Sequence, residues 1–122
     1  MPVTYEFVGD VLVISASGVY PADDVTRAFG RALADPARPV IRALLYDVRD
    51  SEVVGTRSTP EVRAAVAFFR DLGPRVGNRV ALLATADVGY GVMRMVAGWA
   101  DAAGIEAAVF RNHGDAIAWA SR

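Results

Sequence analysis

The chain holds 122 residues, 53% of them hydrophobic, which is enough for one sizeable core and reads as one domain. Thirteen basic against fourteen acidic residues leave a net charge of −1, so no basic field is available to a nucleic-acid backbone and nucleic acid is excluded as a partner. Cysteine is absent, which removes disulfides, thiol nucleophiles and thiolate metal sites together and suits a reducing, cytoplasmic setting.

At the N-terminus, "MPVTYEFVGD" lacks a positive start and carries Glu6 where an apolar stretch would lie, so no signal peptide is expected. Val3, Tyr5 and Phe7 alternate with Thr4 and Glu6, and "VLVISAS" follows after only Gly9 and Asp10. This predicts an antiparallel hairpin, because a two-residue turn with glycine supplies the positive φ that primed turns require. Val25, Ala28, Phe29, Ala32 and Leu33 then recur at helical spacing, with Pro21, Asp23 and Asp24 in the first turn, so helix one is expected to stop near Asp35 and Pro36. "IRALLYDVR" is a nearly continuous apolar run, as in a strand covered on both faces, and a polar loop is expected from Arg49 to Arg57.

Helix two is expected from Ser58 or Thr59 to Gly73, with Val62, Ala65, Val66 and Phe69 on one face. "RVALLAT" reads as strand four and "GYGVMRMVAGWADAAG" as helix three, with Val92, Met95, Val96 and Trp99 inward. "IEAAVF" is strand five, and Asn112 caps a short last helix. Strands alternating with helices predict right-handed parallel crossovers, hence an α/β fold of order ββαβαβαβα. None of the apolar runs approaches the roughly 20 residues of a membrane span.

The junction "TADVGYGVMRM" has two glycines, Gly89 and Gly91, placed as in a phosphate-binding turn. Arg94 stands where a dinucleotide motif needs its third glycine, and Arg111 stands where it needs an acid after the next strand. No Gly-Lys-Ser/Thr follows either, so no nucleotide cofactor is expected, and the glycines read as a sharp strand-to-helix turn with close helix packing. His113 is the sole histidine, so no metal site is expected, and no Gly-x-Ser-x-Gly elbow occurs.

Asp47, Arg49 and Asp50 follow strand three, and Thr85 and Asp87 follow strand four, at the carboxyl edge where parallel sheets bind ligands. With Arg94 they form a candidate polar site, which as acid–base machinery would make the protein an enzyme; solvation and capping explain the same residues. Ser58-x-x-Glu61 fits a capping box, with Thr59 preceding a first-turn Pro60, and a phosphate on Ser58 or Thr59 would meet the positive end of helix two.

Helices two and three carry a second apolar seam beyond their core stripe: Ala64, Ala67 and Phe68 on one, Tyr90, Met93, Ala97 and Ala100 on the other. Either the two helices pack against each other or the seam lines a groove. In the second case Phe68, Tyr90, Met93, Met95 and Trp99 are the candidate lining for a lipophilic ligand or a protein partner.

Nearly the whole chain resembles the SpoIIAA-like family, small stand-alone bacterial proteins related to STAS domains. The resemblance rests on "ASGVYPADD", "LLYDVRD", "RVALLATADVGYGVMRM" and "VFRNHGDAIAWA", above all on Tyr90 to Met95 and on Phe110, Arg111, Ala116 and Trp119. It implies a mixed five-stranded sheet with an N-terminal antiparallel hairpin and four α-helices, a fold class shared with lipid-carrying CRAL-TRIO domains. It further implies a non-enzymatic role without cofactor, binding a lipophilic small molecule or touching a membrane surface peripherally, as a homodimer. In the antagonist branch a serine at the start of the helix after strand three is phosphorylated, and Ser58 matches it. That branch favours an aspartate before this serine and a glycine after the pair, where this chain has Arg57 and Pro60.

Overall fold

The computed structural model describes residues 2–122. The hairpin forms as its alternation predicts: β1 (Val3–Val8) and β2 (Val11–Gly18) pair antiparallel about Gly9, whose φ of 60° is the positive value the turn requires. There follow α1 (Ala22–Ala34), β3 (Ala43–Ser51), α2 (Thr59–Leu72), β4 (Arg79–Leu83), α3 (Asp87–Ala102), β5 (Glu106–Phe110) and α4 (His113–Ala120). The five strands lie side by side in chain order, and β2 through β5 are parallel. With neighbouring strands joined by right-handed crossovers, the three connecting helices are all placed on one face of the sheet.

Alternation along the strands divides the interior in two. Leu44, Tyr46 and Val48 of β3, with Val80 and Leu82 of β4, meet Phe29, Val62, Val66, Phe69, Met93 and Val96 from α1, α2 and α3. Ala43, Leu45, Ala81 and Leu83 turn the other way, to Ala116 and Ala120 of α4. Only eight residues long, α4 is too short to hold itself as a helix in water. Asn112 accepts the Asp115 N–H at 3.1 Å at its start. At its end Arg79 donates to the carbonyls of Trp119, Arg122 and Ala120 at 3.0, 3.2 and 3.4 Å and stacks 4.2 Å from the Trp119 ring.

Three elements depart from the pattern read in the sequence. β3 does not stop at Arg49 but runs on to Ser51, because a bulge lets it continue: Ser15 pairs with Asp47 while Ser17 pairs with Asp50. The stretch expected as a polar loop is a strand end followed by a 3-10 turn at Val54–Thr56. α3 begins at Asp87, ahead of the two glycines, and neither has a positive φ, so they do not make a sharp turn. A Cβ on Gly89 would lie 3.4 Å from Val54, near ordinary contact distance, and Gly91 faces open space. The buried stripe of α3 is Gly89, Met93, Val96 and Ala100, so Met93 faces the core and Met95, at 39% exposure, faces out.

Among the described residues no helix is long and apolar enough to cross a membrane.

Candidate binding pocket

A pocket of about 250 Å³ opens among α1, α2 and α3 over Tyr46 in the middle of β3. Its position follows from the fold, since parallel strands and their following helices leave a crevice at the carboxyl edge of the sheet. Tyr46 forms the sheet-side wall, and Val25, Val62, Phe68, Phe69, Met93 and Val96 form the apolar sides. Phe29, Phe68, Phe69 and Tyr46 hold one another edge to face, with ring centroids 5.2 to 6.2 Å apart, which fixes the shape of this wall.

The mouth is polar. Tyr20, Arg57, Glu61 and Asp23 surround it. Arg57 is held by a 2.7 Å hydrogen bond from Nη2 to the Tyr20 carbonyl, lies 5.3 Å from the Tyr20 ring centroid and approaches Glu61 Oε2 at 3.6 Å. The Tyr20 hydroxyl lies 2.8 Å from Ser51 Oγ, and the Tyr46 hydroxyl is close enough to Tyr20 to interact with it. Tyr20 and Tyr46 both line the pocket. Burial pushes the Tyr46 phenol far above its ordinary value, with the neighbouring Tyr20 adding to the shift, and it stays protonated.

Of the residues singled out in the sequence, Phe68 and Met93 come together in this lining. Trp99 lies elsewhere, in an open groove on the outer side of α2 and α3, with Arg63 stacked 5.0 Å from its ring and Arg70 nearby. Tyr90 is half-buried beneath the Arg111 guanidinium at 4.1 Å, and Met95 lines neither hollow.

The carboxylates are likewise separate. Asp47 accepts from the Arg49 backbone N–H at 3.0 Å and from its guanidinium at 3.1 and 2.9 Å, fastening the bulge. Asp87 pairs with Arg111 at 3.0 Å, and Arg94 is exposed with no ion pair among the described residues. Ser58 caps α2 as its spacing predicts: Oγ accepts the Glu61 N–H at 3.3 Å, and Glu61 accepts the Ser58 N–H at 2.9 Å. That bond holds the Glu61 carboxyl below the usual range. Among the described residues no cluster of three or more His, Asp or Glu side chains could hold a metal ion.

Sequence reasoning missed Tyr20, Tyr46 and Arg57. The one local signal was Tyr46 itself, a polar-tipped aromatic inside the apolar run "ALLYDV".

No family model and no curated protein matches the sequence. Among solved structures, an uncharacterized protein of the DUF3478 family with a SpoIIAA-like fold, from Shewanella loihica PV-4, is similar with a TM-score of 0.60. The two are 19% identical, and the match covers 96% of this chain and 90% of that chain. The chain therefore has a SpoIIAA-like fold, as its resemblance to that family implied; the likeness at this identity concerns fold alone.

Proposed function

We propose that the protein is a non-catalytic binding module that holds one small molecule with an apolar body among α1, α2 and α3. The observation that carries this reading is the pocket itself. The cleft of about 250 Å³ beside Phe68 and Met93 is concave and mainly apolar in its lining, as small-molecule sites are. A water molecule's share of liquid volume is about 30 Å³, so the space suits roughly eight to ten non-hydrogen atoms. That is a medium chain or a single substituted ring rather than a full-length lipid. Asp47 and Asp87 are each paired with an arginine.

Calorimetric titration with 1-octanol tests the reading, with Ala65→Leu as the companion variant because Ala65 lines the pocket from α2. Saturable one-to-one binding that Ala65→Leu abolishes supports it. Absence of binding to the unaltered protein, or equal binding by the filled variant, refutes it.

A second reading, a regulatory protein switched by phosphate at Ser58 or Thr59, draws on the exposure of both residues at the start of α2. Phosphosite mapping in growing and starved cells tests it, and lasting absence of phosphate near residue 58 counts against it.

A further inference from the structure

We infer that the polar end of this pocket is a carboxylate receptor, so that the occupant is a small monocarboxylic acid whose chain or ring lies between Phe68 and Met93. The inference rests on the binding reading above and adds the chemistry of the head group. Its starting point is a proton count along three hydroxyls.

Ser51 Oγ receives the backbone N–H groups of Val53 and Val54 at 3.3 and 3.2 Å and lies 2.8 Å from the Tyr20 hydroxyl. A hydroxyl has two lone pairs and one proton, so with both lone pairs engaged Ser51 is the donor to Tyr20. Tyr46 lines the same pocket and its hydroxyl interacts with Tyr20. Whichever phenol donates to the other, one proton of the pair has no acceptor among the described residues. The row of hydroxyls ends on a donor that opens into the pocket.

Arg57 supplies the positive charge at this end, against the two rim acids Glu61 and Asp23. Arg57 stands beside Tyr20 with N–H groups to spare beyond its bond to the Tyr20 carbonyl. Of the two rim acids, Glu61 is engaged by the Ser58 N–H and by Arg57, and Asp23 is exposed; neither receives a phenol proton. A carboxylate of the ligand has acceptor sites enough for the phenol proton and the guanidinium together, and charge-assisted bonds of this kind are about twice as strong as neutral ones. Because burial keeps Tyr46 in its protonated form, it presents a donor rather than a repelling phenolate.

The test compares three probes of equal chain length, octanoate, 1-octanol and octylamine, by calorimetric titration of the full chain near neutral pH. Octanoate is expected to bind at least about ten-fold more tightly than octanol, the usual worth of a hydrogen bond to a charged group. Tyr46→Phe removes only the hydroxyl and is expected to erase most of that preference while leaving octanol within about two-fold. Arg57→Gln is the second variant and is expected to do the same, with circular dichroism confirming that both remain folded.

Equal affinity for octanoate and octanol, a preference for octylamine, or a Tyr46→Phe protein that still favours octanoate would each overturn the head-group inference while leaving the apolar pocket reading intact. Failure of all three probes to bind overturns both.

Discussion

Arg79 is the residue whose loss is expected to cost the fold most for a change at a single charge. Its side chain is only 15% exposed and spans from β4 to the last turn of α4, where it donates to three carbonyls and covers the Trp119 ring, with Glu106 at 3.6 Å. The Trp119 carbonyl also accepts the Arg122 N–H at 3.3 Å, whereas those of Ala120 and Arg122 have no other partner among the described residues, so Arg79→Ala returns these two to water or leaves them unsatisfied. Hydrogen bonds to a charged donor contribute about 1.5–3 kcal/mol where one partner is withdrawn, and the three longer ones here share one cation, so the total is set at about 2–3 kcal/mol. At about 2.1 cal/mol/K per residue, 122 residues give an unfolding entropy of about 0.26 kcal/mol/K, and the melting temperature should fall by roughly 8–12 °C. Thermal unfolding followed by circular dichroism reads this directly. Arg79→Lys should recover only part of it, because a point charge cannot hold the fork and the stacking at once. A drop under about 3 °C in Arg79→Ala would show that α4 is held by its apolar face alone and would refute the reasoning.

Glycine positions provide a paired expectation. Gly91→Ala, facing open space in α3, should stabilise by about 0.5–1 kcal/mol, whereas Gly77→Ala, at φ 68° and pressed against the Arg42 carbonyl, should destabilise by about 2–3 kcal/mol; urea denaturation reads both. Ser58→Ala removes a complete capping box and should cost about 1 kcal/mol in the same assay, with loss of amide protection confined to the first turn of α2. On the acid side, Asp10 is held low by Arg42, Asp35 by the Ala37 N–H and Glu61 by the Ser58 N–H. Carboxyls depressed in the folded state stabilise it above their unfolded values and lose that contribution as pH falls through the folded ones, so stability should decline below about pH 4, less steeply in Asp35→Asn. On the alkaline side the sign reverses: the raised Tyr46 phenol favours the folded state below about pH 10 and works against it as the unfolded phenol ionises above that. Tyr46→Phe should therefore flatten the loss of stability between about pH 9.5 and 11, and identical slopes would contradict the burial of that hydroxyl.

Much of the fold was legible because each local signal had a physical cause that survives in three dimensions. The change of period after Gly18, the Ser58 to Glu61 box and the Asn112 cap all mark real boundaries. The end of β3 was not legible, because Asp47 fastens a bulge there and so uses in a strand the residues that usually announce a loop. The start of α3 was misplaced for a related reason: glycine suggests a turn, but Gly89 and Gly91 both lie inside the helix and neither has a positive φ.

The same distinction governs the pocket. The surplus of apolar residues on α2 and α3 pointed to Phe68 and Met93. Which face of α3 looks inward could not be settled by periodicity alone, because apolar residues lie all round it, and so Met95 and Trp99 were grouped with Met93. Tyr20, Tyr46 and Arg57 come from a loop after β2, the middle of β3 and the approach to α2, and only the parallel pairing of β2 with β3 brings them to one place.

The most direct measurement of the central claim is a nuclear magnetic resonance titration of isotope-labelled protein with octanoate. The account predicts saturable shifts centred on Val25, Tyr46, Val54, Phe68, Met93 and Val96, with α4 and the outer groove around Trp99 undisturbed. Shifts that never saturate, or that centre on Trp99 and Arg63 instead, would contradict it.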